Sequence, residues 1–239
     1  MWGRMRGGLR RLGQYFRRAG TPPDGSWLAR TSPFSSQFGL DRGRAIDRKY
    51  MEQFLSGQRA AITGSVLEIG DDRYTLKFGS DVARSVVLAG VGRGAAAISV
   101  PDGDLTSSGT YAHLGRFDCV IATNVINFIY EFDAAAQGLA RLTAPVNGVM
   151  LATASGTGPV SRFDYERWGD YWRFTDMALK RIFEKHFRDV SVHAYGNAPM
   201  AAAFAMGLAQ EDVPSSLFET HDPDHQILVA VVARDPITD

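Results

Sequence analysis

Cysteine is all but missing from this chain of 239 residues. The single Cys119 excludes an internal disulfide framework and a cysteine metal cluster. It lies in the apolar run FDCVIAT, where a cysteine reads as a small buried hydrophobe rather than a reactive thiol. No run of about 18 apolar residues occurs, so no membrane-spanning helix is expected. The longest weakly polar stretch, APMAAAFAMGLA (198–209), reads as a packed helix. The N-terminus carries no continuous apolar segment of the secretory kind, and the expected compartment is the cytoplasm. Of the five histidines only His221 and His225 stand close together, in HDPDH, which reads as a solvated loop; no metal site is expected. Neither a Walker loop nor a Gly-x-Ser-x-Gly elbow is found.

Acidic residues are absent from positions 1–23, which hold six arginines: Arg4, Arg6, Arg10, Arg11, Arg17 and Arg18. The whole chain is neutral, so the remainder carries a net charge of −6. A nucleic-acid binder would be basic over its folded part, and none is expected as a partner. Met5, Leu9, Leu12 and Phe16 fall near one face of a basic helix, weakened by Gly7, Gly8 and Gly13. Two readings stand for this stretch: an arm docking on a membrane surface or a protein, or a solvated terminus. Residues 1–40 are accordingly read as an arm and linker, with TPPDGS as a turn, and 41–239 as the domain.

What is present is a series of short apolar strands. SVLEI (65–69), RSVVLAG (84–90), AAISV (96–100), FDCVIATN (117–124) and the strand within APVNGVMLATA (144–154) show little alternation, as in a parallel sheet buried on both faces. VSVHAY (190–195) and QILVAVVAR (226–234) complete seven. Helices are expected over 41–61, 133–142 and 177–187, the last with Leu179, Ile182, Phe183 and Phe187 inward and Thr175 as its cap. RYTLKFG, in which Tyr74, Leu76 and Phe78 alternate, reads as extended chain. The fold class is α/β, a doubly wound, mostly parallel seven-stranded sheet with an antiparallel last strand.

In such a sheet ligands bind beyond the carboxyl ends of the strands. Glu68, Gly70, Asp71 and Asp72 stand at the first strand's end, Asp102, Gly103, Asp104 and Leu105 after the third, and Thr123, Asn124 and Asn127 after the fourth. Ser155 and Gly156 follow the fifth. Clustered carboxylates repel pyrophosphate and suit a cationic or hydroxyl-rich ligand better. VLEIG, the Asp-Leu pair, FDCVIATNVINFIY and NGVMLAT together resemble the successive motifs of the class I S-adenosylmethionine-dependent methyltransferases. DRGRAIDRKYMEQFL, VLEIGDDRYTLKFG and WGDYWRFT resemble more narrowly a bacterial group of that superfamily associated with glycans and glycosyltransferases. The resemblance runs from about residue 38 to 235. It implies S-adenosylmethionine as cofactor, with Glu68 and Gly70 towards its methionine end. It also implies that Asp104 accepts from the adenine amino group, that the backbone of Leu105 pairs with the ring, and that Asn124 lies near the methyl group.

Three features depart from that pattern. Asp72 stands where the loop's second glycine belongs. The second strand, VVLAGVGRG, ends without the acid that grips the ribose diol, a role open to Asp71 or Asp72. Only 14 residues (71–84) separate the first two strands, so the intervening helix is short or absent.

WGDYWRFT and the preceding SRFDYER place Trp168, Tyr171, Trp172 and Arg173 beside Asp164 and Asp170. Rings with carboxylates suit a sugar; the same residues also suit a buried plug. As substrate contacts they imply a small-molecule or glycan-like acceptor methylated on oxygen or nitrogen, with Asp170 and Asp164 as candidate bases. The rival readings are a methyltransferase-fold binding or regulatory module without cofactor, and an NAD-linked enzyme, the latter disfavoured by the missing Gly-x-Gly-x-x-Gly.

Overall fold

A computed structural model describes residues 29–94 and 96–237. The expectations for the basic arm fall outside the described residues. Among the described residues no helix is long and apolar enough to cross a membrane. The chain divides into two compact units, one of residues up to Tyr50 with 195–227, the other of 51–194 with the C-terminal residues from Leu228.

In the first unit, residues 29–33 are exposed, while Phe34 N–H donates to the carbonyl of Met206 and the ring of Phe38 meets that of Phe204 at 5.8 Å, tilted by 38°. Arg42 grips the buried Asp212 with two hydrogen bonds of 2.7 and 2.8 Å. Helix α1 (Ile46–Gly57) begins here. Tyr50, fully buried, packs against Tyr195, Phe218 and His221, and burial raises its phenol to about 12.

The second unit holds the sheet: β1 (Gly64–Ile69), β2 (Val82–Leu88), β3 (Ile98–Val100), β4 (Cys119–Thr123), β5 (Val149–Ser155), β6 (Phe187–Tyr195) and β7 (Leu228–Pro236). Their spatial order is β3-β2-β1-β4-β5-β7-β6. β1 to β5 are parallel, and β7 runs antiparallel to both its neighbours. The apolar strands imply the doubly wound α/β sheet, and its order and antiparallel β7 are those of the Rossmann-like methyltransferase fold that the resemblance implies. The central strands are buried along nearly their whole length, which explains why they show no alternation. Cys119 is fully buried in β4 and burial pushes its thiol up, as expected of a small hydrophobe.

Helices α2 (Arg73–Phe78), α3 (Ser108–Leu114), α4 (Phe132–Leu142), α5 (Arg162–Tyr165), α6 (Asp176–Phe183) and, in the first unit, α7 (Ala198–Ala205) are the other α-helices among the described residues. Two local expectations change. RYTLKF is a helix, not extended chain: Tyr74 and Phe78, four residues apart, stack at 6.2 Å and are buried, while Leu76 is exposed. An extended segment would have put all three on one side. The helix expected over 177–187 stops at Phe183, and Phe187, although buried, belongs to β6. Thr175 does cap α6, its Oγ1 accepting from Ala178 N–H at 3.2 Å. Thr175→Ala is expected to lower the unfolding free energy by about 1 kcal/mol in urea titrations, with an unchanged urea dependence.

Candidate functional site

Strand order reverses between β1 and β4, so the crevice of this sheet opens at their carboxyl ends. Glu68 lies opposite Ile121, and within three residues of that pair both chains turn away from the sheet. They do so at Gly70, with φ +89°, and at Asn124, with φ +50°. Both are in the left-handed region, which glycine and asparagine tolerate best. A Cβ added at Gly70 would meet nothing within 4 Å, so the mouth of the crevice is open there. Asn124 is held by N–H donation to the carbonyl of Thr153 at 2.8 Å and by the Thr153 hydroxyl.

The acids of the β1 turn all have protein partners. Glu68 is buried. Its Oε1 accepts from Tyr74 N–H at 3.1 Å, and its Oε2 accepts from Thr75 N–H and Oγ1 at 2.8 and 2.7 Å. Its carboxyl group therefore satisfies two of the orphan donors of α2, while Arg73 N–H turns to Asp71. Burial outweighs these hydrogen bonds, with Asp71 adding to it, and raises Glu68 to about 7.

Asp72, also buried, reaches in the other direction. Arg93 N–H donates to its Oδ1 at 2.6 Å and Gly94 N–H to its Oδ2 at 2.8 Å. Asp71 is paired with Arg73 at 2.6 Å and Arg93 at 2.9 Å. Burial alone would raise Asp71, but the hydrogen bonds and charge of Arg73, with Arg93, hold it below the usual carboxylate range. The two aspartates thus fasten the connection from β2 to β3, in which no helix occurs among the described residues, to the β1 turn. At the end of β2, Gly90 lies so close to the Gly70 carbonyl that a Cβ would come within 1.7 Å of it. An acid cannot stand there.

At the third strand's end Asp104 is exposed. Its Oδ1 accepts from Thr106 N–H and Oγ1, both at 2.8 Å, which orients the carboxylate. Leu105 is buried beside it.

Asn127 is the central tie of the far side, a role the sequence did not single out. Its side chain is buried; Nδ2 donates to the Trp172 carbonyl at 2.9 Å and Oδ1 accepts from Ser155 N–H at 3.1 Å. Its own carbonyl accepts from Tyr171 and Trp172 N–H. One side chain so binds the end of β5 to the aromatic segment. The only advance signal was its place in an otherwise apolar run just past β4.

That segment divides into two parts. Trp172 packs on Phe132 and Phe174 and donates through Nε1 to the Tyr130 carbonyl. Arg173 makes a bidentate pair with Asp170 at 2.6 and 2.9 Å and reaches the Pro159 carbonyl. These residues form a plug. Trp168 and Tyr171, in contrast, are half exposed, and Tyr130 stands edge-on to Tyr171 at 5.4 Å. Burial would raise Asp170, but Arg173 and the Ser161 N–H hold it low, which makes it a weaker base than a free aspartate. Asp164 accepts from the Ser161 hydroxyl at 2.5 Å. Among the described residues no cluster of metal-ligating side chains occurs, and His225 pairs with Asp222.

No known family profile and no curated protein matches the chain. Solved structures do. The [4+2]-cyclase SpnF is 15% identical, with a TM-score of 0.51 over 96% of this chain and 97% of its own. The N-terminal domain of EvdMO1 with S-adenosylhomocysteine bound is 13% identical, with a TM-score of 0.49 over 96% of each chain. The N-methyltransferase NodS of Bradyrhizobium japonicum, in complex with S-adenosylhomocysteine, is 15% identical, with a TM-score of 0.47 over 94% of this chain and 98% of its own. At such identities the likeness concerns the fold alone.

Glu68 generates a pH prediction. Its value near 7, against the ordinary 4.5, means that the native state holds this proton more tightly than the unfolded chain. Its contribution to stability is fully present below 4.5 and is lost as pH rises through about 7. The stability difference between the wild type and Glu68→Gln, from urea titrations, should shrink across that window. A difference independent of pH would show that Glu68 is ionised throughout.

Proposed function

We propose that this chain is an S-adenosylmethionine-dependent methyltransferase acting on a nitrogen or oxygen of a small-molecule or glycan-like acceptor. The observation that carries the reading is the open crevice at the switch point, with Gly70 and Asn124 turning away on either side of it. Fold alone does not fix the reaction, as the name of the cyclase SpnF illustrates.

The chain offers partners at two ends of such a cofactor. Asp104, with Oδ2 unpartnered among the described residues, is suited to accept from the adenine amino group, and the backbone of Leu105 to pair with the ring. Gly70 and Asn124 leave space for the methionine end. The ribose end fits less well: Asp71 and Asp72 are engaged, and Gly90 stands just past the end of β2. When bound, the cofactor supplies a methyl group on a sulfonium, an electrophile that needs only an in-line nucleophile. The protein's part is then positioning. Trp168 and Tyr171, with Tyr130, offer exposed ring surface for an acceptor; Trp172 packs against Tyr130, and Arg173 holds Asp170. With Asp170 neutralised by Arg173, a neutral amine, which needs no base before attack, is better served than a hydroxyl.

A second reading, a methyltransferase-fold module that binds a partner without cofactor, draws on the same clamp that occupies Asp71 and Asp72. Calorimetry with S-adenosylhomocysteine on the full chain separates the two. The first reading predicts micromolar binding, weakened about tenfold by Asp104→Ala with little change in melting temperature. Absence of binding at millimolar ligand supports the second and ends the first.

A further inference from the structure

The two edges of the sheet differ. β3, at one end of the order, spans three residues and is followed directly by Pro101, so it offers little backbone to another strand. β6, at the other end, spans nine residues, and its sequence FRDVSVHAY holds no proline, glycine or lysine. Among the described residues β7 is the one strand paired with β6, so the outer edge of β6 carries unpaired backbone groups. An edge of this length is a template for a further strand.

The side chains of β6 sort by parity. Val190 and Val192 are half-buried and pack on the core cluster that contains Leu179 and Phe183. Asp189, Ser191 and His193 fall on the other face and are exposed. Among the described residues neither Asp189 nor His193 has a hydrogen-bond or ion-pair partner. Ile227 N–H donates to the Tyr195 carbonyl at 2.8 Å, on the side where β7 runs. Backbone groups alternate in direction along an antiparallel strand, so the odd positions of β6 turn theirs towards β7. Arg188, Val190, Val192 and Ala194 then turn theirs outwards.

This strand is complementary to itself. Antiparallel pairing with β6 of a second copy, about a twofold axis at Ser191, engages all nine residues, and every shifted register leaves part of the strand unpaired. In the centred register Val190 of each copy stands opposite Val192 of the other, and Asp189 opposite His193, each pair occurring twice by symmetry. A carboxylate opposite an imidazole gains a hydrogen bond when the ring is neutral and an ion pair when it is charged. Arg188 falls opposite Ala194, so no like charges meet.

We propose that the outer edge of β6 is the interface between two copies of this chain, which join edge to edge into one continuous sheet.

The test is sedimentation velocity of the full chain across the micromolar range, with amide hydrogen exchange on the same samples. A reversible monomer–dimer equilibrium is expected, with protection at the Val190 and Val192 amides that rises with concentration. Asp189→Lys removes both carboxylates and sets a cation opposite each His193; it should weaken the dimer about tenfold. His193→Asp added to it restores opposite charges across the axis and should recover the dimer. Val192→Pro removes an N–H that no strand of the same chain uses, and should abolish the dimer while leaving the melting temperature nearly unchanged. A chain monomeric throughout would overturn the assignment, and protection at Val190 and Val192 independent of concentration would show that another segment of the same chain covers the edge. A dimer indifferent to Asp189→Lys, or a loss that His193→Asp does not recover, would overturn it equally.

Discussion

The buried carboxylate of Asp72, accepting from Arg93 and Gly94 N–H, is the contact on which the carboxyl edge of this sheet depends. A buried polar group is tolerated only where it finds hydrogen-bond partners, and here the donors are backbone N–H groups of the connection between β2 and β3. Glu68 does the same for the first turn of α2. Asp71 adds an ion pair to Arg93 on the same loop. Three acids within five residues thus turn one tight connection into a fixed frame. The short 71–84 connection follows from this, because α2 is only six residues long and relies on Glu68 in place of a capping residue of its own.

This frame shapes the crevice. Gly70 is left facing open space because the acids beside it turn inwards to the protein. The charge at the mouth differs from that suggested by the run of letters: Asp71 is flanked by two arginines, and Asp72 is out of reach of solvent. On the opposite side Asn127 performs a comparable task, tying β5 to the segment that carries Trp168 and Tyr171. The two sides are rigid for different reasons, one through carboxyl groups and backbone donors, the other through a neutral amide and packed rings. A ligand at this switch point would meet a preformed site rather than induce one.

The strands were legible in the sequence because burial on both faces leaves continuous apolar runs, and the cap at Thr175 because a threonine precedes an amphipathic stretch. The α2 helix was not, because a six-residue helix shows one i,i+4 pair, Tyr74 and Phe78, and the intervening Leu76 imitates alternation. Phe187 was assigned to a helix because it keeps a helical spacing from Phe183, and the two rings do meet, at 6.2 Å, across the turn into β6. Glu68, Gly70 and Asn124 do stand at strand ends, as the apolar runs indicated, but the direction of a carboxylate is only partly written in its neighbours. Asp71 and Asp72 read as ligand groups and Asp170 as a base; Asp71 and Asp170 find partners close by, in Arg73 and Arg173, but Arg93, Gly94 and Ser161, which also engage these acids, lie 9 to 22 positions away.

The claim that the acids of the β1 turn hold the β2–β3 loop is tested most directly by amide hydrogen exchange. Asp72→Ala should abolish protection at Arg93 and Gly94 while the amides of β1 and β4 keep theirs. Unchanged protection at those two amides in the variant would contradict the account.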